Sequence, residues 1–421
     1  MRTVTSIYSH EPPPTATSHS RATSLPVGMS SLPRSAPDLP RQLLVLRVYA
    51  AFTYPFACVP FLYFFFHAHG IGIAAYTNLI AIYYLAMVVA ELPTGLLADR
   101  FGHRLALVAG PAVLSAGFAT IYLGDSFLHF AVGEALLGLG HSLLSGPPAA
   151  LLFASLAQAG RAHEYVRHEA RLHAVRMLST GVAFLIGGAL ASAAGIAPTI
   201  VLTAALCAVA SVVALLARDL PAVRPRTRLL IGDAIAQFQR PGVRWITGYY
   251  VLVFCLLRYC FHTYQPYLQE AEQLDPWRLG LLFFALNLVA APWSRAVPGL
   301  LRGLGEHRLL WGMPLLLGCS LMAMAGSIGW LGIALFFVHQ APFGAHWAVL
   351  QAYTNHRIGS TSRTTVLSAM SFAGRLAFCG LFPLLGLLQA RAGLAVTYLT
   401  AGALGCAATF AVMFCAPRTK A

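Results

Sequence analysis

Charged side chains are scarce in this sequence. Asp, Glu, Lys and Arg make up 10% of the 421 residues, whereas a water-soluble domain usually carries about 25%. Lysine is almost absent, because 27 of the 28 basic residues are arginine. The arginines are scattered between apolar segments, so the net charge of +14 does not indicate a surface that binds nucleic acid. This composition excludes an ordinary soluble protein.

Signatures of several kinds of chemistry are also missing. The eight cysteines all fall within apolar segments, so we expect no disulfide framework. No Gly-rich phosphate-binding loop followed by Lys and Ser or Thr is present, which argues against ATP as the energy source. His163, His168 and His173 are five residues apart, and this spacing turns successive side chains by about 140° on a helix, away from a shared metal site. We expect no metal and no cofactor.

Long apolar segments recur along the chain after residue 42. Hydrophobic residues make up 58% of the sequence, and the mean hydropathy is +0.69. A helix needs about 20 mostly apolar residues to cross a bilayer. The sequence therefore predicts an all-α membrane protein with twelve transmembrane helices, near residues 43–66, 73–97, 105–123, 127–153, 171–194, 196–217, 245–268, 279–301, 308–327, 329–352, 364–390 and 394–416.

The distribution of basic residues predicts the orientation. With the N-terminus in the cytoplasm, 22 Lys and Arg residues lie on the inner side and only Arg278 and Arg391 lie outside. By the positive-inside rule, both termini of this multi-pass protein are cytoplasmic. The predicted parts are a disordered tail (1–40), a six-helix half (41–217), a linker (218–244), a second six-helix half (245–417) and a cytoplasmic end (418–421). Arginines of the linker are expected to contact anionic membrane lipid.

The segment between the second and third predicted helices carries a motif. It reads Gly95-Leu-Leu-Ala-Asp-Arg-Phe-Gly-His-Arg104, and we call residues 95–104 the signature loop. This segment resembles the loop that major facilitator transporters carry at this place. The resemblance implies two pseudo-symmetric six-helix halves that rock about a substrate site near the membrane midplane. It also implies a cytoplasmic latch between the halves, formed by Gly95, Asp99, Arg100, Gly102 and Arg104.

Neighbouring residues refine the resemblance. The preceding residues, Glu91-Leu-Pro-Thr, resemble the residues at the same place in bacterial exporters of drugs and metabolites. Proton-coupled exporters often carry an arginine four residues before a Gly-x-Gly of the fourth helix, where this chain has Glu134 before Gly138. Drug antiporters carry a proline where this chain has Phe184. The first hypothesis is a proton-coupled exporter (an antiporter) of a small organic metabolite or drug-like molecule; the second is proton-coupled uptake of an organic anion.

Glu134 is the candidate for proton coupling. Glu134, Gly138, His141 and Ser145 recur at helical spacing, which places them on one face of the fourth predicted helix. A charge at the bilayer centre costs roughly 3 kcal/mol on insertion scales, so an ionisable residue there is a functional candidate. The alternative is that Glu134 is a permanently ionised partner of an intramembrane arginine such as Arg258.

Further polar residues lie within the predicted spans. Helices one, four, seven and ten line the central cavity in the resembled fold, and their candidates for substrate contact are Arg47, Tyr54, His141, Arg258, His262, Gln265, His339 and His346. Guanidinium and imidazole groups favour a substrate with a carboxylate, sulfate or phosphate. Arg176 and Arg375, in helices five and eleven, are candidates for interhelical pairing at gates.

Two other classes of membrane protein, an enzyme and a sensor, fit the sequence less well than a transporter. A membrane enzyme needs His and carboxylate groups clustered at one interface, and His67-x-His69 is the only close pair outside the spans. A sensor with a transporter-like body would carry an appended soluble domain. We therefore expect no enzymatic activity, and a monomer whose partners are a small-molecule substrate, protons and lipid.

Overall fold

The computed structural model describes residues 38–219, 238–271, 274–326, 329–357 and 360–417. Regular structure in these residues is helical throughout. Most of the predicted tail, most of the predicted linker and residues 418–421 lie outside this part of the chain. The predicted domain boundaries therefore stay predictions.

Thirteen α-helices follow one another in the described residues. Those before the linker, which we call the N-terminal half, are α1 (Leu39–Thr53), α2 (Leu62–Ala68), α3 (Ile73–Phe101), α4 (His103–Leu123), α5 (Phe127–Leu144), α6 (Pro147–Gln158), α7 (Tyr165–Ala194) and α8 (Ala197–Ala214). Those after it, the C-terminal half, are α9 (Pro241–Ala271), α10 (Pro276–Leu304), α11 (Glu306–Ala325), α12 (Trp330–Arg357) and α13 (Ser360–Phe414).

Nine helical segments of the described residues are long and apolar enough to cross a membrane. They are Ile73–Glu91, His103–Leu123, Phe127–Gln158, Ala162–Ala194, Ala197–Ala214, Pro276–Leu304, Glu306–Ala325, Trp330–Thr354 and Val366–Phe414. The last segment covers two predicted spans, 364–390 and 394–416. The two are separated within α13 at Gly393, where the backbone leaves helical geometry with φ of 82°. The spans predicted at 43–66 and 245–268 are not among the nine. The all-α membrane fold is confirmed, whereas the count of twelve spans stays a prediction.

The first predicted span is interrupted. Helix α1 ends at Thr53, and helical structure resumes with a 3₁₀ turn at Val59–Phe61 that leads into α2. Pro55 and Pro60 lie in and next to the interruption, and proline lacks the N–H group that a continuous helix needs. We call residues 54–58 the α1 break.

Side chains of other helices bond the backbone at the α1 break. The hydroxyl of Thr180 donates to the carbonyl of Tyr54 (3.1 Å), and the N–H of Cys58 donates to the hydroxyl of Thr203 (3.2 Å). Polar backbone groups inside a membrane must find partners within the protein. The break is therefore a supported feature of the fold, held by α7 and α8.

The two halves pack along two helix pairs, α3 with α13 and α7 with α10. At the second crossing, Gly188 and Gly280 face each other so closely that a Cβ atom on Gly280 would collide with the carbonyl of Phe184. Glycine permits such backbone approach because it has no side chain. We call the end of the bundle where α3 meets α4 the loop end, and the other end the opposite end.

Candidate substrate cavity and surrounding charged groups

A cavity of about 220 Å³ lies between the halves. Residues of the α1 break and α7 line it on one side, and residues of α9, α10 and α12 line it on the other. We call it the central cavity. Aromatic side chains dominate its wall: Tyr54, Phe56, Phe184, Phe261, Tyr264, Phe283 and Phe343. Such a wall binds flat apolar groups through area burial and ring contacts.

Four polar side chains also line the central cavity: Thr180, Asn287, His339 and Gln340. Both ring nitrogens of His339 are engaged, with the Tyr264 hydroxyl at 3.1 Å and the Ser320 hydroxyl at 2.7 Å. Asn287 donates from Nδ2 to the carbonyl of Met177 (2.9 Å), which links α10 to α7 across the halves. The polar groups thus hold the cavity in shape.

A second cavity, of about 290 Å³, shares Tyr54, Met177 and Thr180 with the central cavity. It is further lined by His173 and Arg176, which lie on α7 nearer the loop end. The two cavities together lead from the middle of the bundle toward the loop end.

The expectation for Arg176 was an interhelical pair, and the structure corrects it. The Arg176 guanidinium donates to Glu169 (2.8 Å), two turns earlier on the same helix. A carboxylate seven residues away lies on the same helix face, so Arg176 is neutralised without a second helix.

Arg375 does form an interhelical pair. Its Nη1 donates to Oε2 of Glu91 at 2.9 Å, and this ion pair joins α13 of the C-terminal half to α3 of the N-terminal half. The side chains are 15% and 23% exposed. Sequence reasoning noted Glu91 without assigning it this partner, because the two residues are 284 positions apart.

Glu134 is buried on α5. It is 2% exposed, and its Oε1 atom has no hydrogen-bond partner in the described residues. Gly138, one turn further, lets α5 approach the carbonyl of Tyr83 on α3. Holding an ionised carboxylate in such a place costs several kcal/mol, and binding a proton removes that charge.

Glu134 and Arg258 form no ion pair in the described structure. The alternative role of Glu134, as the ionised partner of an intramembrane arginine, is therefore not supported by the described residues. Arg258 instead lies over the ring of Phe254, 5.3 Å from its centroid, in a cation–π contact. Among the described residues this guanidinium has no carboxylate partner and lies against an aromatic ring.

His141 lies among aromatic rings at the edge of the central cavity. Its ring centroid is 5.5 Å from those of Phe56 and Tyr83 and 6.2 Å from that of Tyr54. Its Nδ1 is 3.0 Å from the carbonyl of Leu137. The predicted shared face of α5 thus places His141 beside the α1 break.

Two of the predicted cavity residues on α9 use their polar atoms in contacts with the N-terminal half. His262 Nε2 lies 3.2 Å from the Tyr84 hydroxyl of α3. The Gln265 amide accepts from the N–H of Tyr63 and donates to the carbonyl of Val59, both at 2.8 Å. These contacts close the bundle toward the opposite end.

The remaining candidates lie apart from the central cavity. His346 Nδ1 is 3.0 Å from the carbonyl of Phe343 in its own helix. Arg47 is half-buried on α1. Of the eight predicted substrate contacts, the cavity wall includes Tyr54 and His339. It also includes Asn287 and Gln340, which sequence reasoning missed although both are amides within apolar segments.

The signature loop contacts the end of α8 in the N-terminal half. Gly102 has φ of 94°, and its Cα lies against the carboxylate of Asp219. The Arg104 guanidinium donates to the carbonyl of Leu215 (2.5 Å), and Arg100 lies over the ring of Phe101. The side chain of Asp99 lies outside the described structure. The latch between halves stays a prediction.

The described residues contain no group of three or more His, Cys, Asp or Glu side chains that could hold a metal ion. A model of the Major Facilitator Superfamily matches residues 43–380. The chain belongs to this superfamily. It is therefore a multi-pass membrane transporter of small molecules.

Solved structures of the superfamily share the fold. The nucleoside transporter NupG is 12% identical, with a TM-score of 0.72 over 90% of this chain and 99% of that chain. A D-xylose-proton symporter is 13% identical, with a TM-score of 0.71 over 91% of this chain and 99% of that chain. At these identities the likeness shows the fold alone.

A curated relative is similar over a short segment. Inner membrane transport protein YajR of Escherichia coli is 43% identical over 70 residues, which is 17% of this chain and 14% of that protein. The match thus covers a small part of the relative's length.

Proposed function

We propose that this superfamily member is a proton-coupled exporter of a small organic metabolite or drug-like molecule. The observation that carries the proposal is the buried carboxylate of Glu134, whose Oε1 atom has no hydrogen-bond partner in the described residues. The same helix also brings His141 to the edge of the aromatic central cavity. In this proposal Glu134 binds the coupling proton, and the central cavity binds the substrate. The halves alternate between two states in which the cavity faces one side of the membrane or the other.

The distribution of contacts supports loading from the loop end. Gln265 joins the halves toward the opposite end, while the second cavity extends from the central cavity toward the loop end. We place the loop end in the cytoplasm, with both termini there, and the protein in the cell inner membrane, from the excess of basic residues on that side. A carrier in this state exchanges its substrate with the cytoplasm, which is the loading step of export and the release step of uptake.

We assign the signature loop the role of a latch in the other state. There Gly95, Asp99, Arg100 and Gly102 hold the halves together at the loop end, while Arg104 keeps its bond to α8. Arg375 and Glu91 stabilise the present state, and Arg176 lies at the mouth of the path. The protein works as a monomer among membrane lipids, without enzymatic activity.

A second candidate is proton-coupled uptake of an organic anion. It is favoured by Arg258, an intramembrane cation that has no carboxylate partner in the described residues and lies over the ring of Phe254. Arg47, His262, Gln265 and His339 are the further candidates of this reading. Both functions use the same fold and differ in the charge of the substrate and in the direction of flux.

The test compares the metabolites of cells that lack the protein with those of cells that contain it. Accumulation of a compound inside the cells on deletion supports export. Depletion of a compound on deletion supports the uptake of that compound instead. Purified protein with hydrolytic or transferase activity and without solute flux would overturn both proposals.

A further inference from the structure

The chemistry of the central cavity allows its ligand to be described. We infer that this cavity takes an uncharged aromatic molecule that carries at least one hydrogen-bond donor, and that Asn287 and Gln340 select it. The inference rests on the proposed function in that it takes the central cavity as the substrate site. It goes beyond that function by stating the class of substrate.

The wall of the central cavity offers no charge. Of the described residues that line it, none is Asp, Glu, Lys or Arg. A charged ligand that enters such a wall loses its water without gaining a counterion, which costs several kcal/mol. An anion is therefore excluded from this cavity.

His339 does not supply a charge to a ligand, because its ring nitrogens are occupied. The Ser320 hydroxyl donates its single proton to the carbonyl of Leu317 (2.9 Å), so it accepts from Nε2–H of His339 (2.7 Å). Nδ1 then accepts from the hydroxyl of Tyr264 (3.1 Å). A neutral imidazole satisfies every bond in this chain.

Two amide oxygens remain for a ligand. The Nε2 group of Gln340 donates both its protons, to the Tyr264 hydroxyl (3.3 Å) and to the carbonyl of Phe336 (3.2 Å). Nδ2 of Asn287 donates to the carbonyl of Met177. Because backbone carbonyls only accept, these bonds fix the orientation of both amides. Neither Oε1 of Gln340 nor Oδ1 of Asn287 accepts a hydrogen bond from the described residues. Both oxygens can therefore accept a hydrogen bond from a ligand.

Size and wall shape select an aromatic ligand. An engineered apolar cavity of about 150 Å³ holds benzene, so about 220 Å³ accepts one ring with a short substituent or two fused rings. Phe56, Phe184, Phe261 and Phe343 provide rings from both halves, and contacts between aromatic rings stabilise a bound ring beyond area burial. Because the wall is shared, such a ligand contacts both halves at once.

The test uses purified full-length protein in lipid nanodiscs and three probes of similar shape, with calorimetric titration against empty nanodiscs. Indole has two fused rings and an N–H donor, benzothiophene has the same shape without a donor, and indole-2-carboxylate adds a negative charge. We expect indole to bind at least tenfold more tightly than either of the others, since benzothiophene leaves the amide oxygens without a donor and the carboxylate gains no counterion. Equal binding of indole and benzothiophene, tighter binding of the carboxylate, or no saturable binding of any probe would overturn the inference.

Matched variants locate the selectivity. Gln340→Leu should lower the preference for indole over benzothiophene at least fivefold while benzothiophene still binds. Gln351→Leu, the same exchange on an exposed position of α12, should leave the preference unchanged. Asn287→Leu provides a second variant in case Gln340→Leu does not fold. If both variants fold and keep the wild-type preference, the assignment of these residues is wrong.

The outcome is separable from that of the proposed function. The titration uses neither a pH gradient nor flux, so a failure of proton coupling or of export leaves the binding result unchanged. Conversely, a protein that exports a charged solute with proton coupling, but does not bind indole, supports the proposed function and refutes the substrate class.

Discussion

Glu91 of α3 and Arg375 of α13 form an ion pair across the two halves, with 2.9 Å between Oε2 and Nη1. Their side chains are 23% and 15% exposed, so the pair is neither a surface contact nor a fully buried one. Breaking a buried pair costs about 3–5 kcal/mol, and an exposed pair contributes about 1 kcal/mol or less. This pair falls between these limits, which is enough to bias two states of a carrier.

Removing the carboxylate of this pair is expected to weaken the present state. Glu91→Gln should lower the initial rate of transport in proteoliposomes roughly tenfold, because Arg375 then stays partly buried without its counterion. Exchanging the charges, with Glu91→Arg and Arg375→Glu together, should recover part of the rate. Glu164→Gln is the control, since Glu164 pairs with Arg161 within the N-terminal half. Equal losses in Glu91→Gln and Glu164→Gln would show that the pair between halves has no special role.

Gln265 is expected to hold the opposite end closed. Gln265→Leu removes both bonds to the backbone of Val59 and Tyr63, each worth about 1 kcal/mol. Cys260 lines the central cavity and is buried, so its modification by a reagent added at the opposite end reports on opening. In a protein that keeps Cys260 as its only cysteine, Gln265→Leu should raise the rate of maleimide labelling from that end at least fivefold. An unchanged rate in folded protein would contradict this role for Gln265.

Gly102 is expected to be irreplaceable at the signature loop. At Gly102 φ is 94° and ψ is 156°, a region that costs residues with a side chain about 1–3 kcal/mol, and a Cβ atom would also displace the exposed carboxylate of Asp219. Gly102→Ala should therefore lower the thermal unfolding midpoint in detergent by a few degrees. Gly95→Ala is the matched control, because it lies within α3 with no atom within 4 Å of its Cβ position, and it should leave the midpoint unchanged or slightly higher because alanine favours a helix. Similar midpoints for both variants would disprove the strain at Gly102.

Hydropathy and helix periodicity predicted the features that depend on neighbours in the chain. The all-α membrane fold follows from the lengths of the apolar segments, and the shared face of Glu134 and His141 follows from their spacing on α5. Pro55 and Pro60 lie within the first predicted span, but hydropathy did not indicate that α1 ends at Thr53. These properties are local, which is why one sequence sufficed.

Contacts between distant segments were not predictable in this way. The partner of Arg375 is Glu91, which lies in the N-terminal half of the chain. Gln265 was placed at the substrate, but its amide is used by the backbone beside the α1 break. Asn287 and Gln340 were overlooked because an amide in an apolar helix gives no indication of which cavity it meets. Packing between halves decides all these cases.

Neutralising Glu134 without changing its shape is expected to spare the fold. Glu134 is buried with one carboxylate oxygen unpartnered, so Glu134→Gln removes a charge that the membrane interior disfavours. The thermal unfolding midpoint should stay the same or rise. A fall of many degrees would indicate an ion pair that the described residues do not show.

The central claim is that Glu134 couples substrate movement to protons. The most direct measurement loads proteoliposomes with a substrate found by the metabolite comparison, imposes a pH gradient, and follows flux in wild-type protein and in Glu134→Gln. We expect the gradient to drive wild-type flux against the substrate gradient, and Glu134→Gln to retain exchange of substrate while losing this dependence on pH. Gradient-driven transport by Glu134→Gln at the wild-type rate would contradict proton coupling through Glu134.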